Sequence, residues 1–182
     1  ENYMKYITFA VPCYNSEAYM EHAIETLLTG GKDVEIILVD DGSKDNTGKI
    51  ADEYQKKYPD IIKAVHKENG GHGSGVNKGL ELATGLYYKV VDSDDWVDEE
   101  ALQKVLTTIK KLHKQKEDVD MLVVNYVYEK EGEQKVIRYT KTLPENKVFT
   151  WDEVGKFKKD AYLLMHSVIY RTDFLKEIGL KL

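Results

Sequence analysis

Apolar and polar positions along this chain recur with two periods, and the switches between them outline the fold. The run "KYITFAVP" is apolar up to Pro12 and predicts a buried strand. In "NSEAYMEHAIETLLTGG" the period lengthens, placing Met20, Ala23, Ile24, Leu27 and Leu28 on one helical face. Asn15 or Ser16 is the expected cap of that helix, and Gly30-Gly31 its stop. "VEIILVD" predicts a second buried strand. A helix follows from about Thr47 with Ile50, Tyr54 and Tyr58 inward, and Pro59 ends it. "IIKAVHK" is a third strand, Ser74 to Ala83 a third helix with Val76, Leu80 and Ala83 aligned, and "GLYYKVVD" a fourth strand. A helix from Glu99 to about His113 carries Leu102, Val105, Leu106, Ile109 and Leu112, with Asp98 as its cap. "DMLVVNYVYE" predicts a fifth strand with "QKVIRYT" beside it, and residues 141–159 are less regular. "HSVIYR" and "TDFLKEIGL" close the chain as a strand and a short helix.

Strands alternating with helices at this spacing imply βαβ units and a mostly parallel sheet covered on both faces. That architecture decides how "DGSKDNTGKIAD" is understood. Its oxygens at Asp41, Ser43, Asp45, Thr47 and Asp52 match positions of a twelve-residue calcium loop. An EF-hand needs a helix before the loop and Gly at the sixth position. Here a strand precedes Asp41, and the sixth residue is Asn46. The calcium-loop reading fails. Asp40 and Asp41 sit instead at the carboxyl end of a parallel strand, where open α/β sheets bind ligands.

Three strands deliver polar residues to that edge, in "VPCYNSE", "VDDGS" and "VVDSDDW". Turn shaping and helix capping account for Asn15, Asp45 and Asp98. Asp92 to Asp95 are different, because like charges gathered directly after "YYKVV" call for a counterion. Two carboxylates with no nearby His or Cys make an all-oxygen site suited to Mg²⁺ or Mn²⁺ rather than zinc. So few protein ligands imply that a substrate completes the shell, which points to a metal-bridged diphosphate.

Composition narrows the partners. The 182 residues amount to about one domain. With 42% hydrophobic residues the chain can bury a core, and its net charge of -6 makes duplex nucleic acid an unsuitable partner. Cys13 is the only cysteine, so no intrachain disulfide can form and a reducing, cytoplasmic setting is expected. No apolar run is long enough to span a bilayer, which leaves peripheral contact with the inner face of a membrane open. "NGGHGSGVNKG" satisfies neither G-x-G-x-x-G, since Val76 stands where glycine is needed, nor the P-loop, nor the nucleophile elbow. Its glycines either admit a ligand to the backbone or form a loop.

"VPCYNSEAYMEHAIETLL", "VDDGSKDNT", "NGGHGSGVNKGLELATG" and "VVDSDDW" occur in the order and spacing of family 2 glycosyltransferases, and the chain resembles that family closely over its first hundred residues or so. The resemblance implies an α/β fold of the GT-A type and transfer of a sugar from a nucleotide-sugar donor, expected to be UDP-linked. The acceptor would be a saccharide or lipid-linked saccharide, with inversion at the anomeric carbon, in making a bacterial cell-surface polysaccharide such as capsule. Carried over by motif, Pro12, Tyr14, Asn15 and Glu17 match the first nucleotide-binding segment, and Asp41 the acid that reads the nucleobase. Asn69, Gly70, Lys78 and Ser93 complete the expected nucleotide set. "DSD" matches the D-x-D motif, with Asp92 near the ribose and Asp94 on Mn²⁺ or Mg²⁺; Asp92 is the second metal candidate and Asp95 a brace.

Two departures from the family pattern stand out. Val76 occupies a position where relatives often carry arginine, and Lys78 or His72 would have to compensate. The acidic general base of the family has no clear counterpart before Leu182. Asp173 and Glu177 read as a first-turn helix acid and an exposed helix face, and His166 is a candidate for the acceptor side. The expectation is a GT-A domain over 1–182, with 1–98 as nucleotide-binding half and 99–182 as the start of an acceptor half, cut short at its C-terminal end. The alternatives are a nucleotide-sugar-binding module without transferase activity and, more remotely, a nucleotidyltransferase. The latter usually has a glycine-rich basic loop after its first strand, which "VPCYNSEAYM" lacks.

Overall fold

The computed structural model describes residues 3–124, 126–130, 133–137 and 168–182. By contacts the chain divides into two compact units, Glu1–Asp120 with Tyr170–Leu182, and Met121–Ile169.

The first unit is built on a parallel sheet. Strands β1 (Ile7–Cys13), β2 (Val34–Asp40), β3 (Ile62–His66) and β4 (Tyr87–Val90) lie in the order β3-β2-β1-β4. All seven residues of β1 and of β2 are buried, as expected of strands covered on both faces. Tyr170 and Arg171, the end of β8 (Val168–Arg171), pair antiparallel with Tyr88 and Tyr87. The predicted mostly parallel α/β architecture is therefore present.

Helices follow the apolar stripes. α1 (Met20–Leu28) buries Met20, Ala23, Ile24 and Leu27, and α4 (Glu99–Lys114) buries Leu102, Leu106 and Ile109. Asp98 caps α4 as expected, accepting from the Ala101 N–H at 2.9 Å. The expected side-chain cap on α1 is absent. The backbone carbonyl of Ser16 takes the N–H groups of Tyr19 and Met20 instead, and the helix starts later than the polar cluster implied. In α2 (Thr47–Lys57) the buried face is Thr47 and Ala51, while Ile50, Tyr54 and Tyr58 are half-buried. The hydroxyl of Tyr54 donates to Glu25, which explains its partial exposure.

α3 (His72–Leu82) starts two residues before the sequence reading and lies against β1 and β2. Val76, Leu80, Ala83, Ala10, Tyr88 and Leu175 form one buried cluster there. A Cβ at Gly79 would come within 2.6 Å of the Ala10 Cβ, so this glycine sets how closely helix and sheet approach. That packing role is one the sequence reading did not consider for the segment. α5 (Thr172–Glu177) completes the unit.

Within the second unit, the stretch expected to be one strand is two, β5 (Met121–Val123) and β6 (Tyr126–Lys130). β7 (Glu133–Ile137) pairs antiparallel with β6, from Tyr126 opposite Ile137 to Lys130 opposite Glu133.

One ion-pair cluster ties the first unit's sheet to its second helix. The β2–β3 register sets Asp40 opposite His66, whose Nδ1 lies 3.0 Å from Asp40 Oδ2 and whose Nε2 lies 2.7 Å from Asp52 Oδ1. The bond to Asp40 and then that to Asp52 raise the imidazole pKa above its ordinary 6.5, against a smaller opposing effect of burial. A raised folded pKa adds stability that is complete below about 6.5 and fades as pH climbs through the folded value. The urea midpoint of the chain is therefore expected to fall between pH 6 and pH 8.5. His66→Gln should flatten that slope, and equal slopes in the two proteins would refute the linkage.

Candidate functional site

The carboxyl ends of β1, β2, β3 and β4 converge because the strands are parallel and adjacent. The Asp41 N–H donates to the Cys13 carbonyl, and the Val91 N–H to that of Ala10, so neighbouring strands hold their exits level with β1.

The exits of β1 and β2 are laced together. The Asn15 N–H donates to Ser43 Oγ at 3.0 Å, while Asn15 Oδ1 accepts from the Lys44 N–H at 2.9 Å. Glu17 Oε2 accepts from the Asn46 N–H, and Asp45 accepts from the Thr47 and Glu17 N–H groups. Asn15 itself adopts φ 48°, a left-handed conformation that asparagine tolerates. The turn-shaping role read from sequence for Asn15 and Asp45 is thus what their side chains perform. Glu17 shares that role. Pro12 is buried in β1, and Tyr14 is left exposed at the rim.

Asp41 is the most heavily engaged carboxylate of the edge. It is 4% exposed. Lys67 Nζ and the Gly70 N–H donate to its Oδ1 at 2.7 and 2.9 Å, and the Gly71 N–H to its Oδ2 at 2.8 Å. Asn69 Nδ2 donates to the Asp41 carbonyl. Burial would raise this carboxyl's pKa, but the Lys67 ammonium and the two glycine amides together outweigh it and hold the pKa below the usual range. Asp41 is therefore a fixed anion with acceptor capacity remaining on Oδ2. Next to it, Gly42 has φ +74°, and a Cβ there would meet the Asn69 backbone nitrogen at 2.9 Å. Only glycine lets the two loops close over Asp41.

The D-x-D segment forms the other half of the site. Asp92, Asp94 and Asp95 each offer a ligand oxygen, all within 4.8 Å of one another. Asp92 and Asp95 are half-buried, and Asp94 is exposed. Ser93 points inward, its Oγ 2.8 Å from Ser16 Oγ, so this predicted nucleotide contact serves to join the β4 exit to the β1 exit. Lys89 lies buried in β4 beneath the cluster. Burial lowers its pKa to about 8, partly offset by Asp95 and Asp92. Three carboxylate oxygens in this arrangement fit a hard divalent cation such as Mn²⁺ or Mg²⁺.

Of the remaining candidates, Asn69 and Gly70 are brought to Asp41, whereas Lys78 pairs with Glu81 on its own helix at 3.2 Å. Asp173 lies at the opposite, amino edge of the sheet: the Thr172 N–H donates to the Leu86 carbonyl, just before β4 begins. Asp173 and Glu177 are exposed residues of α5. His166 lies outside the described residues. Lys67, His66 and Gly71 escaped the sequence reading, which followed three strand exits and overlooked the fourth. "VHK" at the end of β3 was the signal, since a strand beside β2 places its exit next to Asp41.

The family model for glycosyl transferase family 2 matches residues 8–179. The chain belongs to that family. Putative glycosyltransferase EpsH of Bacillus subtilis (strain 168) is 33% identical over 165 residues, covering 81% of this chain and 46% of that protein. The minor teichoic acid biosynthesis protein GgaB of the same organism is 32% identical over 173 residues, covering 92% of this chain and 18% of that protein. The crystal structure of S. aureus TarS 1-349 in complex with UDP-GlcNAc matches with a TM-score of 0.71 at 27% identity, over 98% of this chain and 48% of that one. The fold is accordingly GT-A, the type the motifs implied. The chain spans under half the length of each of these relatives.

Proposed function

We propose that this chain carries the donor-binding core of a glycosyltransferase that takes a UDP-linked sugar with Mn²⁺ or Mg²⁺. The carrying observation is the meeting, at one sheet edge, of a fixed anion at Asp41 and the three-carboxylate cluster of Asp92, Asp94 and Asp95. Family membership and the UDP-GlcNAc complex of the similar TarS structure support a uridine donor. In this reading Asp41 accepts from the N3–H of uracil, with Tyr14 at the rim and Asn69 and Gly70 shaping the base pocket. Asp94 and Asp92 hold the cation, which when bound stabilises the leaving diphosphate as a Lewis acid. Inverting transfer to a saccharide or lipid-linked saccharide, in cell-surface polysaccharide synthesis at the cytoplasmic face of the membrane, is the whole-protein activity we infer. Among the described residues no helix is long and apolar enough to cross a membrane.

The test is a calorimetric titration with UDP, with and without MnCl₂, followed by competition with CDP. UDP is expected to bind only with the metal. CDP should bind about 10-fold more weakly or worse, because cytosine N3 offers no hydrogen to Asp41 and a mispaired buried acceptor costs roughly 1–3 kcal/mol. Equal affinity for CDP would remove Asp41 from base recognition, and no UDP binding at all would remove the donor assignment.

A further inference from the structure

Beside the D-x-D carboxylates stands His72. It is the first residue of α3, with its side chain half exposed and its Nε2 2.7 Å from Asp92 Oδ1. An ionised carboxylate only accepts, so Nε2 carries the proton and His72 donates. One lobe of Asp92 is thereby occupied, and the other is left for a ligand.

What places the ring there is the other half of the site. The carboxylate of Asp41 grips the N–H groups of Gly70 and Gly71. Gly71, at φ 87°, is the residue from which α3 springs. The start of the helix, and so the position of the His72 ring, is fixed by Asp41. Asp41 and Asp92 are in this way connected through Gly70, Gly71 and His72, without touching each other. Two nearby lysines are committed elsewhere, Lys67 to Asp41 and Lys78 to Glu81, while Lys89 lies buried beneath the cluster, where Asp95 and Asp92 act on it.

Building on the donor-site reading above, we propose that His72 is a positioning residue of that site, holding Asp92 in the orientation that receives the nucleotide and its cation. It acts through Asp92 and needs no contact with the reacting atoms. A side chain that only stabilised the fold would be indifferent to which group replaced it, provided the fold survived. A positioning donor is not. Gln can present an amide N–H near the place of Nε2, and Ala cannot.

The experiment compares wild type, His72→Ala, His72→Gln and Asp94→Asn, all as the 182-residue chain. UDP is titrated in the presence of MnCl₂, and thermal unfolding of each protein is followed alongside. His72→Ala is expected to weaken UDP–Mn²⁺ binding about 10- to 100-fold, the usual effect of removing a partner that orients a metal ligand. His72→Gln should recover to within about 2-fold of wild type, with unfolding midpoints of both variants close to that of wild type. Independently of any ligand, the imidazole nitrogen resonances of His72 should show the proton on Nε2. Unchanged binding in His72→Ala, a His72→Gln variant as weak as the alanine one, or a neutral ring protonated on Nδ1 alone would each overturn the proposal. If wild type binds and Asp94→Asn does not, the donor-site reading stands whatever His72 does. If wild type fails to bind, that reading falls and the role of His72 falls with it.

Discussion

Asp94→Asn is expected to abolish Mn²⁺-dependent UDP binding while leaving the fold intact. Asp94 is exposed, and its carboxylate makes no hydrogen bond among the described residues, so nothing in the sheet depends on it. Its two neighbours in the cluster differ in this respect. Asp92 is held by His72, and Asp95 is tied into the turn through its N–H bond to the Asp92 carbonyl. Asparagine preserves the size of Asp94 but supplies a neutral oxygen in place of an anionic one. Mutating even a supporting partner of a metal ligand costs about 10–100-fold in affinity, and removing the ligand charge itself should cost on the order of 100-fold or more. Calorimetry would show the loss, with an unfolding curve matching wild type as the control. Unchanged UDP affinity in the presence of Mn²⁺ would dismiss Asp94 as a ligand.

The largest expected effect on stability comes from a residue far from that edge. Glu35 sits in β2 with 4% of its surface exposed, a charge inside an apolar strand. It is held by four donors: Thr8 Oγ1 at 2.8 Å, Lys63 Nζ at 2.8 Å, the Thr84 N–H at 2.9 Å and Thr84 Oγ1 at 2.8 Å. Burial would raise its carboxyl pKa, yet these bonds, led by that of Lys63, bring it below the ordinary value. The network extends from Thr8 to the Gly85 N–H and from the Gly85 carbonyl to Thr172 Oγ1, so it joins β1, β2, the entry to β4 and α5. Glu35→Ala strands the Thr84 N–H and leaves a cavity. We expect a loss of roughly 3 kcal/mol, given the cost of unmet buried donors and of the cavity left behind. For a chain of this length that is a fall in unfolding midpoint of about 6–12 °C. Because the folded pKa is depressed, the contribution is present above the ordinary glutamate value and lost as pH falls through the folded one. Wild type should therefore lose more stability on acidification than Glu35→Ala, and a variant that melts with wild type would refute the network's weight.

The chain's local order was legible in its sequence. The apolar runs "ITFAVPC" and "VEIILVD" and the α4 stripe gave the elements nearly residue for residue, because an unbroken apolar run or a 3.6-spaced apolar stripe is a local property. The motif carboxylates were legible too, since a strand must end before its polar exit, and that exit is where Asp41 and Asp92–Asp95 stand. The partners of those groups were not legible. Thr8 and Glu35 meet because the β1–β2 register sets them opposite, 27 residues apart in the chain, and Asp40 meets His66 by the β2–β3 register in the same way. Lys67 reaches Asp41 and His72 reaches Asp92 only once β3 and α3 have been laid beside β2 and β4. The sequence alone therefore determined where the charges are presented along the chain. The tertiary structure decided which are neutralised, which are fixed and which remain open to a ligand, because pairing depends on strand order and register, which hydrophobic periodicity does not encode.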